Sequence, residues 1–295
     1  MMKVRFWGTR GSIPTPGPTT LRYGGNTSCV EVRADDHIFI FDAGTGIREL
    51  GYKLLSEFDS TPMTIHIFIS HTHWDHIQGF PFFLPAYKPE NKVILYGPPS
   101  RDRSFQDVLR DQMDQEYFPV SLGDLTPNII IKELRDPMAR GPVTVRPFYL
   151  NHPAMTLAFR ISDGTRSVVY ATDNEPYAYT LAHRNGSPLI PSEYGKQQDR
   201  KLIEFLEGCD LLIGEGQYTM EEYQEKVGWG HSPIDTLVDF ALEGGVKRLA
   251  LFHHDPLHND DMVDAMVEFA KNRIAAENPD MECFGAREGL ELTIP

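Results

Sequence analysis

The stretch ISHTHWDHIQGFPFF, residues 69–83, contains the densest group of potential metal ligands in the chain. It continues an apolar, β-rich run that predicts a buried strand, and His71, His73, Asp75 and His76 then fall within six positions. The H-x-H spacing at the end of a strand turns both imidazoles to one side. Imidazole nitrogen and carboxylate oxygen together suit zinc or a similar divalent ion. A solvated polar turn is the alternative, but four candidate ligands directly after an apolar strand favour a metal site.

Further potential ligands follow other apolar strands. FYLNHP places His152 after one strand, VVYATD places Asp173 after another, and LALFHHDP places His253 and His254 after a third. Each of them alone is compatible with an ordinary polar residue at a strand exit. Together with the first stretch, they predict that several strands supply ligands to one metal site.

Composition restricts the function classes. The chain has 295 residues, of which 41% are hydrophobic, so it can bury a full-sized core. Its formal net charge of −14, without a long basic patch, argues against a protein that coats RNA or DNA. Three cysteines without a CxxC pair indicate a reducing compartment, and no run of 18 apolar residues is present. We therefore expect a cytoplasmic protein without a membrane segment.

Strand and helix patterns alternate in both halves of the chain. This alternation predicts an α/β (α+β) protein in which two mixed sheets pack face to face with helices outside, within a single domain spanning 1–295. Residues 177–198 are interpreted as a loop insertion. Helical patterns occur at 47–58, 104–113, 199–209, 232–245 and 260–277.

These motifs resemble the metallo-β-lactamase superfamily over nearly the whole chain. The resemblance implies a four-layer αββα sandwich with a two-metal site at one edge of the sheets. It implies one ion on His71, His73 and His152 and another on Asp75, His76 and His253, with Asp173 bridging, and Asp75 also counts as catalytic. His253 is preferred to His254 as the last ligand. Zinc is the expected metal, with manganese or iron as alternatives.

Two further residues resemble the phosphodiesterase branch of that superfamily, which includes RNase Z and small cyclic phosphodiesterases. Glu215 follows the strand LLIGE, and His231 precedes a helix with Ser232 as the expected N-cap. The resemblance implies that Glu215 orients His231, and that His231 assists phosphoryl transfer or protonates the leaving oxygen. In the alternative, His231 only caps a helix and Glu215 is a surface carboxylate. Gly214 stands where the branch often has histidine.

The expected reaction is hydrolysis by a metal-bridging hydroxide, and the ligands alone do not select the substrate. A small or cyclic nucleotide diester is the preferred substrate, and tRNA is disfavoured by the net charge and by the lack of a basic arm. A lactonase or thioesterase acting on C–O, C–S or C–N bonds is the main alternative, and a non-catalytic binding module is another. A homodimer is expected from the resemblance. Two sets of residues have open roles: Arg10, Ser12, Asn26 and Thr27, which could contact phosphate, and Phe80, Phe82, Phe83, Tyr177 and Tyr179, which could stack a base or belong to the core.

Overall fold

The structure is a computed structural model that describes residues 1–59, 61–99, 103–125, 128–181 and 189–295. The chain forms two compact units, Met1–Pro142 with Arg287–Pro295, and Val143–Ala286. The prediction of a single domain over 1–295 stays a prediction. Among the described residues, every helix falls short of the length or apolar character that a membrane span requires.

The first unit is built on a mixed sheet. Its antiparallel part includes two strands joined by a turn at Asp35, which has a φ of 54°. The other strands run parallel, so their carboxyl ends meet at one edge of the sheet. The sheet order is β14-β1-β2-β3-β4-β5-β6. These strands are β1 Met2–Gly8, β2 Cys29–Ala34, β3 His37–Phe41, β4 Thr64–Phe68, β5 Lys92–Gly97, β6 Ile129–Glu133 and β14 Glu291–Ile294, and β7, Met138–Arg140, precedes the boundary of the unit.

Amphipathic helices cover this sheet. The predicted helix at 47–58 is confirmed as α1, Ile47–Phe58, which buries Ile47, Leu50 and Leu54 in the same apolar cluster as strand residues of β3 and β4. Burial of each such aliphatic side chain stabilises the fold by about 1.5–3 kcal/mol. The other helices are α2, Trp74–Ile77, which lies within the ligand stretch, and α3, Phe105–Gln112, which is capped by the Ser104 hydroxyl.

The second unit contains the sheet order β13-β12-β11-β10-β9-β8. Strands β10 to β13 run parallel, and Glu215 at the end of β11 pairs with Phe252 at the end of β12. Residues that directly follow these strands therefore lie along one sheet edge. The elements are β8 Val143–Leu150, β9 Thr156–Ser162, β10 Ser167–Ala171, α4 Tyr177–Thr180, α5 Glu193–Leu206, β11 Leu211–Glu215, α6 Met220–Tyr223, α7 Ile234–Glu243, β12 Arg248–Phe252, α8 Asp260–Glu277 and β13 Glu282–Gly285.

The interpretation of 177–198 as a loop is wrong at both of its ends, and residues 182–188 lie outside the described residues. Helix α4 occupies one end, and α5 begins at Glu193 rather than Asp199, with the Ser192 hydroxyl accepting from the Gly195 N–H. Asp199 is instead buried in α5 and accepts hydrogen bonds from the backbone N–H groups of Tyr177 and Ala178. These bonds tie the short helix to the long one.

Candidate metal-binding site

The ligand stretch of the first unit brings its imidazoles together. Strand β4 ends at Phe68, and the chain then places the His71 ring 4.5 Å from the His73 ring and 4.2 Å from the His76 ring, between ring centroids. Asp75 and His76 lie in α2 and are buried, whereas His73 is exposed. The Asp75 Oδ2 atom lies 3.1 Å from His76 Nε2. The predicted cluster of His71, His73, Asp75 and His76 is therefore formed within this unit.

Asp42 orients this loop from beneath. It follows β3 with a φ of 60°, and its carboxylate accepts from the Ser70 N–H at 2.7 Å and from the Ser70 hydroxyl at 2.8 Å. Its Oδ2 also lies 2.7 Å from His76 Nδ1. A carboxylate accepts this bond, so Nδ1 carries the proton and Nε2 of His76 is the nitrogen directed to a metal. Asp42 thus supports the ligand loop as a hydrogen-bond acceptor.

The amino-terminal loop contributes structural support and direct contacts with the ligand stretch. The Ser12 N–H donates to Asp75 Oδ2 at 2.8 Å. Arg10 is fully buried and donates through Nε to the Gly24 carbonyl, and Asn26 donates twice to the Glu288 carboxylate. The Thr27 hydroxyl accepts from the Thr45 N–H. These contacts explain the loop residues as structural supports of the ligand stretch.

The second unit gathers its residues where the parallel strands end. Asp173 follows β10 and His253 follows β12, and both adopt positive φ, 57° and 58°. Such left-handed conformations of non-glycine residues cost about 1–3 kcal/mol and recur at functional sites. His253 Nε2 lies 3.4 Å from Asp173 Oδ1, and His152 Nε2 lies 3.9 Å from Asp173 Oδ2. Asp173, His231 and His253 each offer one potential ligand atom, and these atoms lie within 4.8 Å of one another.

Hydrogen bonds at Nδ1 select the ligand nitrogen of two histidines in this unit. His152 Nδ1 donates to the Gly230 carbonyl at 2.8 Å, because a carbonyl oxygen only accepts. His253 Nδ1 lies 3.0 Å from Gln217 Oε1, and the Gln217 amide is oriented by donating to Asp255 at 3.2 Å. Both histidines therefore direct Nε2 towards Asp173.

His254, the alternative last ligand, has a different environment. Its Nε2 donates to the Ala286 carbonyl at 2.9 Å. That nitrogen is committed to the backbone near β13, whereas Nε2 of its neighbour His253 lies beside Asp173. The geometry thus favours His253 over His254 as the ligand.

Glu215 does not orient His231 through a direct hydrogen bond, because its Oε2 lies 3.8 Å from His231 Nδ1. The carboxylate accepts backbone N–H groups instead, from Asn174 at 3.0 Å and Ser232 at 2.9 Å, so it fixes the residues that flank Asp173 and His231. Burial, followed by the charge of Asp173, raises the pKa of Glu215 well above its ordinary value, and the backbone donors oppose this shift. The alternative of a surface carboxylate is also excluded, since Glu215 is buried.

The predicted N-cap of α7 is displaced by one residue. Pro233, rather than Ser232, has the extended conformation of the cap, and α7 begins at Ile234. The Ser232 hydroxyl donates to the Asn174 carbonyl, which ties the end of the 228–232 loop to the strand exit that carries Asp173.

The prediction missed Glu175, which organises the loop preceding His231. This buried carboxylate accepts from the Tyr223 hydroxyl at 2.7 Å, the Gly228 N–H at 2.7 Å and the Gly230 N–H at 2.8 Å. The Gly230 carbonyl in turn accepts the hydrogen bond from His152 Nδ1, so Glu175 positions His152 indirectly, through Gly230. Its only signal in the sequence is its place two residues after Asp173.

Comparisons with known proteins identify the family of this chain and structures that share its fold. The model of the beta-lactamase superfamily domain matches residues 37–254. Ribonuclease Z of Halobacterium salinarum is 22% identical over 326 aligned positions, covering 100% of this chain and 98% of the relative. Among solved structures, the metallo-β-lactamase fold protein YhfI of Bacillus subtilis is 20% identical with a TM-score of 0.67, covering 99% of this chain and 100% of the other. The short form of human tRNase Z is 18% identical with a TM-score of 0.60, covering 99% of each chain.

These comparisons confirm the predicted fold class and the prediction of a metal-dependent hydrolase. They also show that the argument against tRNA was wrong, since the relatives are ribonuclease Z enzymes and one is named for tRNA. Net charge was a poor guide to the substrate, because the value of −14 sums the whole surface. Bound divalent ions would supply positive charge locally, at the place where a phosphate binds. Zinc, a dimer and a cytoplasmic location stay predictions.

Proposed function

Because the chain belongs to the beta-lactamase superfamily, we propose that it is a metal-dependent phosphodiesterase acting on a nucleotide substrate. The observation that carries the proposal is the orientation of three imidazoles. His76, His152 and His253 each engage an acceptor through Nδ1, which leaves Nε2 as the nitrogen that binds a metal. Imidazoles held in this way suit a divalent metal site.

The proposed ligand sets follow the family resemblance and the orientation of each imidazole within its own unit. His71, His73 and His152 would hold one ion, Asp75, His76 and His253 the other, and Asp173 would bridge them. Zinc suits these donors best, with manganese and iron as alternatives. When bound, two divalent ions lower the pKa of water and stabilise charge on phosphoryl oxygens.

His231 is the proposed proton donor to the leaving oxygen. Its ring stacks on the His253 ring at 5.3 Å between centroids, and its Nδ1 lies 3.8 Å from both Asp173 and Glu215. We assign proton donation to Nε2, the ring nitrogen opposite Nδ1. Glu215 is a positioning residue, because it holds the backbone of Ser232, next to His231.

Two nucleotide substrates are candidates. The first is a small or cyclic phosphodiester. The second is tRNA, which is favoured by the relatives named ribonuclease Z and by the human tRNase Z structure. Both contain a phosphodiester bond, so the enzyme must distinguish them by the groups that surround that bond.

The test is hydrolysis of bis(p-nitrophenyl) phosphate by protein that has been stripped of metal and reloaded with zinc or manganese. We expect metal-dependent cleavage of this diester, whose p-nitrophenolate leaves without needing a proton. On a cyclic mononucleotide, whose leaving oxygen is strongly basic, His231→Ala should lower kcat about 100-fold or more, because a positioned proton donor contributes about 10²–10⁴-fold. His37→Ala, a half-buried histidine on β3, is the control and should retain activity.

Side-by-side assays with a cyclic mononucleotide and a tRNA carrying a 3′ extension then rank the substrates. If the fully metal-loaded protein cleaves none of these diesters, the proposal fails and lactone and thioester substrates become the next candidates. If the metal-free protein keeps its fold, and neither metal nor any of these substrates changes its behaviour, the binding-module alternative is favoured.

A further inference from the structure

A groove of about 530 Å³ lies beside the ligand stretch within the first unit. Thr72 and Trp74, which alternate in sequence with His71, His73 and Asp75, form one wall, and residues of α3 and the segment after it form another. The volume lies within the roughly 300–1,000 Å³ of typical small-molecule sites. The groove is therefore lined by immediate chain neighbours of the residues proposed to hold metal.

Aromatic side chains in this groove are unusually exposed. Trp74 is 81% exposed, Tyr117 is 78% exposed and Phe82 is 52% exposed. Phe82 is also held against Phe118 in an edge-to-face contact at 5.3 Å between centroids. Large aromatic rings left in water at one place mark a binding surface, because each can still bury its ring face on a ligand. Three phenylalanines of residues 80–83 were considered for base stacking. Phe80 and Phe83 are buried in the core, and Phe82 lines the groove.

The polar groups of the groove suit a ring that bears hydrogen-bonding edges. Gln112 lines it, and within the described residues its Nε2 atom is buried without a hydrogen-bond partner, so an acceptor on a bound ligand would satisfy it. Arg103 and Asp111 form an ion pair at the rim, which adds a donor and an acceptor. A purely apolar ligand would leave the Gln112 amide nitrogen without an acceptor.

We propose that this groove receives the nucleobase adjacent to the scissile phosphate, with Trp74 and Tyr117 as the stacking residues. The inference rests on the proposed phosphodiesterase function and specifies the part of the substrate that would be recognised next to the metal ligands. Stacking on these rings would serve either a small nucleotide or the terminal bases of an RNA, since every base has an aromatic face.

The test compares two substrates with the same leaving group, thymidine 5′-(p-nitrophenyl phosphate) and methyl p-nitrophenyl phosphate. We expect Tyr117→Ala and Trp74→Ala each to lower the ratio of kcat/KM for the nucleoside substrate over the methyl substrate by at least about fivefold, because base stacking typically supplies such a factor or more. Trp74→Phe should restore most of the ratio. Tyr149→Ala, at a 48% exposed tyrosine on β8 outside the groove, is the matched control and should leave the ratio unchanged. An unchanged ratio in both groove variants overturns the inference.

A binding measurement separates this inference from the proposed function. Calorimetric titration of the metal-stripped protein with thymidine 5′-monophosphate should show weaker binding in Tyr117→Ala than in Tyr149→Ala. If that difference is found while no diester is hydrolysed, the groove binds nucleotides and the phosphodiesterase proposal is refuted. If Tyr117→Ala leaves nucleotide binding unchanged but dissociates a dimer in sedimentation, the groove is an interface between copies and the nucleobase proposal is overturned.

Discussion

Substitution of Gly230 by alanine should lower activity, because the added Cβ atom would collide with the ring of His152. Gly230 has a φ of 91°, and a Cβ built there lies 2.2 Å from His152 Nδ1 and 2.5 Å from Pro153 Cδ. Gly228 has a φ of 92°, and a Cβ there meets no atom within 4 Å. Both glycines donate their N–H to Glu175, so the two positions differ mainly in this collision.

The expected losses follow from that difference. Alanine in the left-handed region costs about 1–2 kcal/mol at either position. Gly230→Ala must in addition push the His152 ring away by about 1 Å, and a misplacement of this size costs about 100-fold in rate. We expect Gly228→Ala to retain activity and metal content with a modest loss of stability, and Gly230→Ala to lose about 100-fold in kcat. Urea denaturation, metal analysis and diester hydrolysis measure the three quantities. Equal activity in the two variants would refute the steric argument.

Three further changes probe the surrounding network. Glutamine at position 175 can accept hydrogen bonds at only one side-chain atom, whereas Glu175 accepts at both oxygens. We therefore expect Glu175→Gln to lower metal affinity about 10–100-fold, measured by competition with a chelator. The control Glu222→Gln, in the capping box of α6, should leave metal affinity unchanged. Asparagine at position 42 tolerates the positive φ, but its amide NH₂ cannot accept the hydrogen bond from His76 Nδ1. Asp42→Asn should therefore weaken binding of an added divalent ion about 10–100-fold while the fold stays intact, as judged by circular dichroism. Burial, followed by the charge of Arg140, lowers the pKa of His66 to about 4 from 6.5, so this group costs stability as pH falls through 6.5 towards 4. The stability advantage of His66→Phe over wild type in urea titrations should therefore grow by about 2 kcal/mol from pH 7 to pH 5, and a constant difference would contradict the assignment.

The elements that hydrophobic patterning controls were predictable. Strands β4, β10 and β12 are apolar runs, and His71, Asp173 and His253 follow them within three residues. Ligands at strand exits can be recognised one strand at a time. The same reasoning found α1, whose apolar residues repeat at helical spacing. Such patterns are local in sequence, so a single chain is sufficient to see them.

Partners of buried polar groups were not predictable in this way. Glu215 bonds to backbone N–H groups, which every residue carries, so no side-chain motif announces them. Glu175 reaches Tyr223 and Gly228 about 50 residues away, a pairing that only the folded chain specifies. The start of α5 was missed for another reason, since its first two turns are mostly polar and carry little apolar periodicity.

The strand β14 has a consequence for the order in which the molecule is made. It pairs with β1 through Met2 and Ile294, so the sheet bearing the HTHWDH loop takes its final edge from residues synthesised after the whole second unit. Before β14 is added, the edge of β1 has unpaired backbone N–H and C=O groups. Other chains can pair with these groups. A ribosome-stalled chain lacking Arg287–Pro295 should therefore aggregate more readily than one that includes these residues.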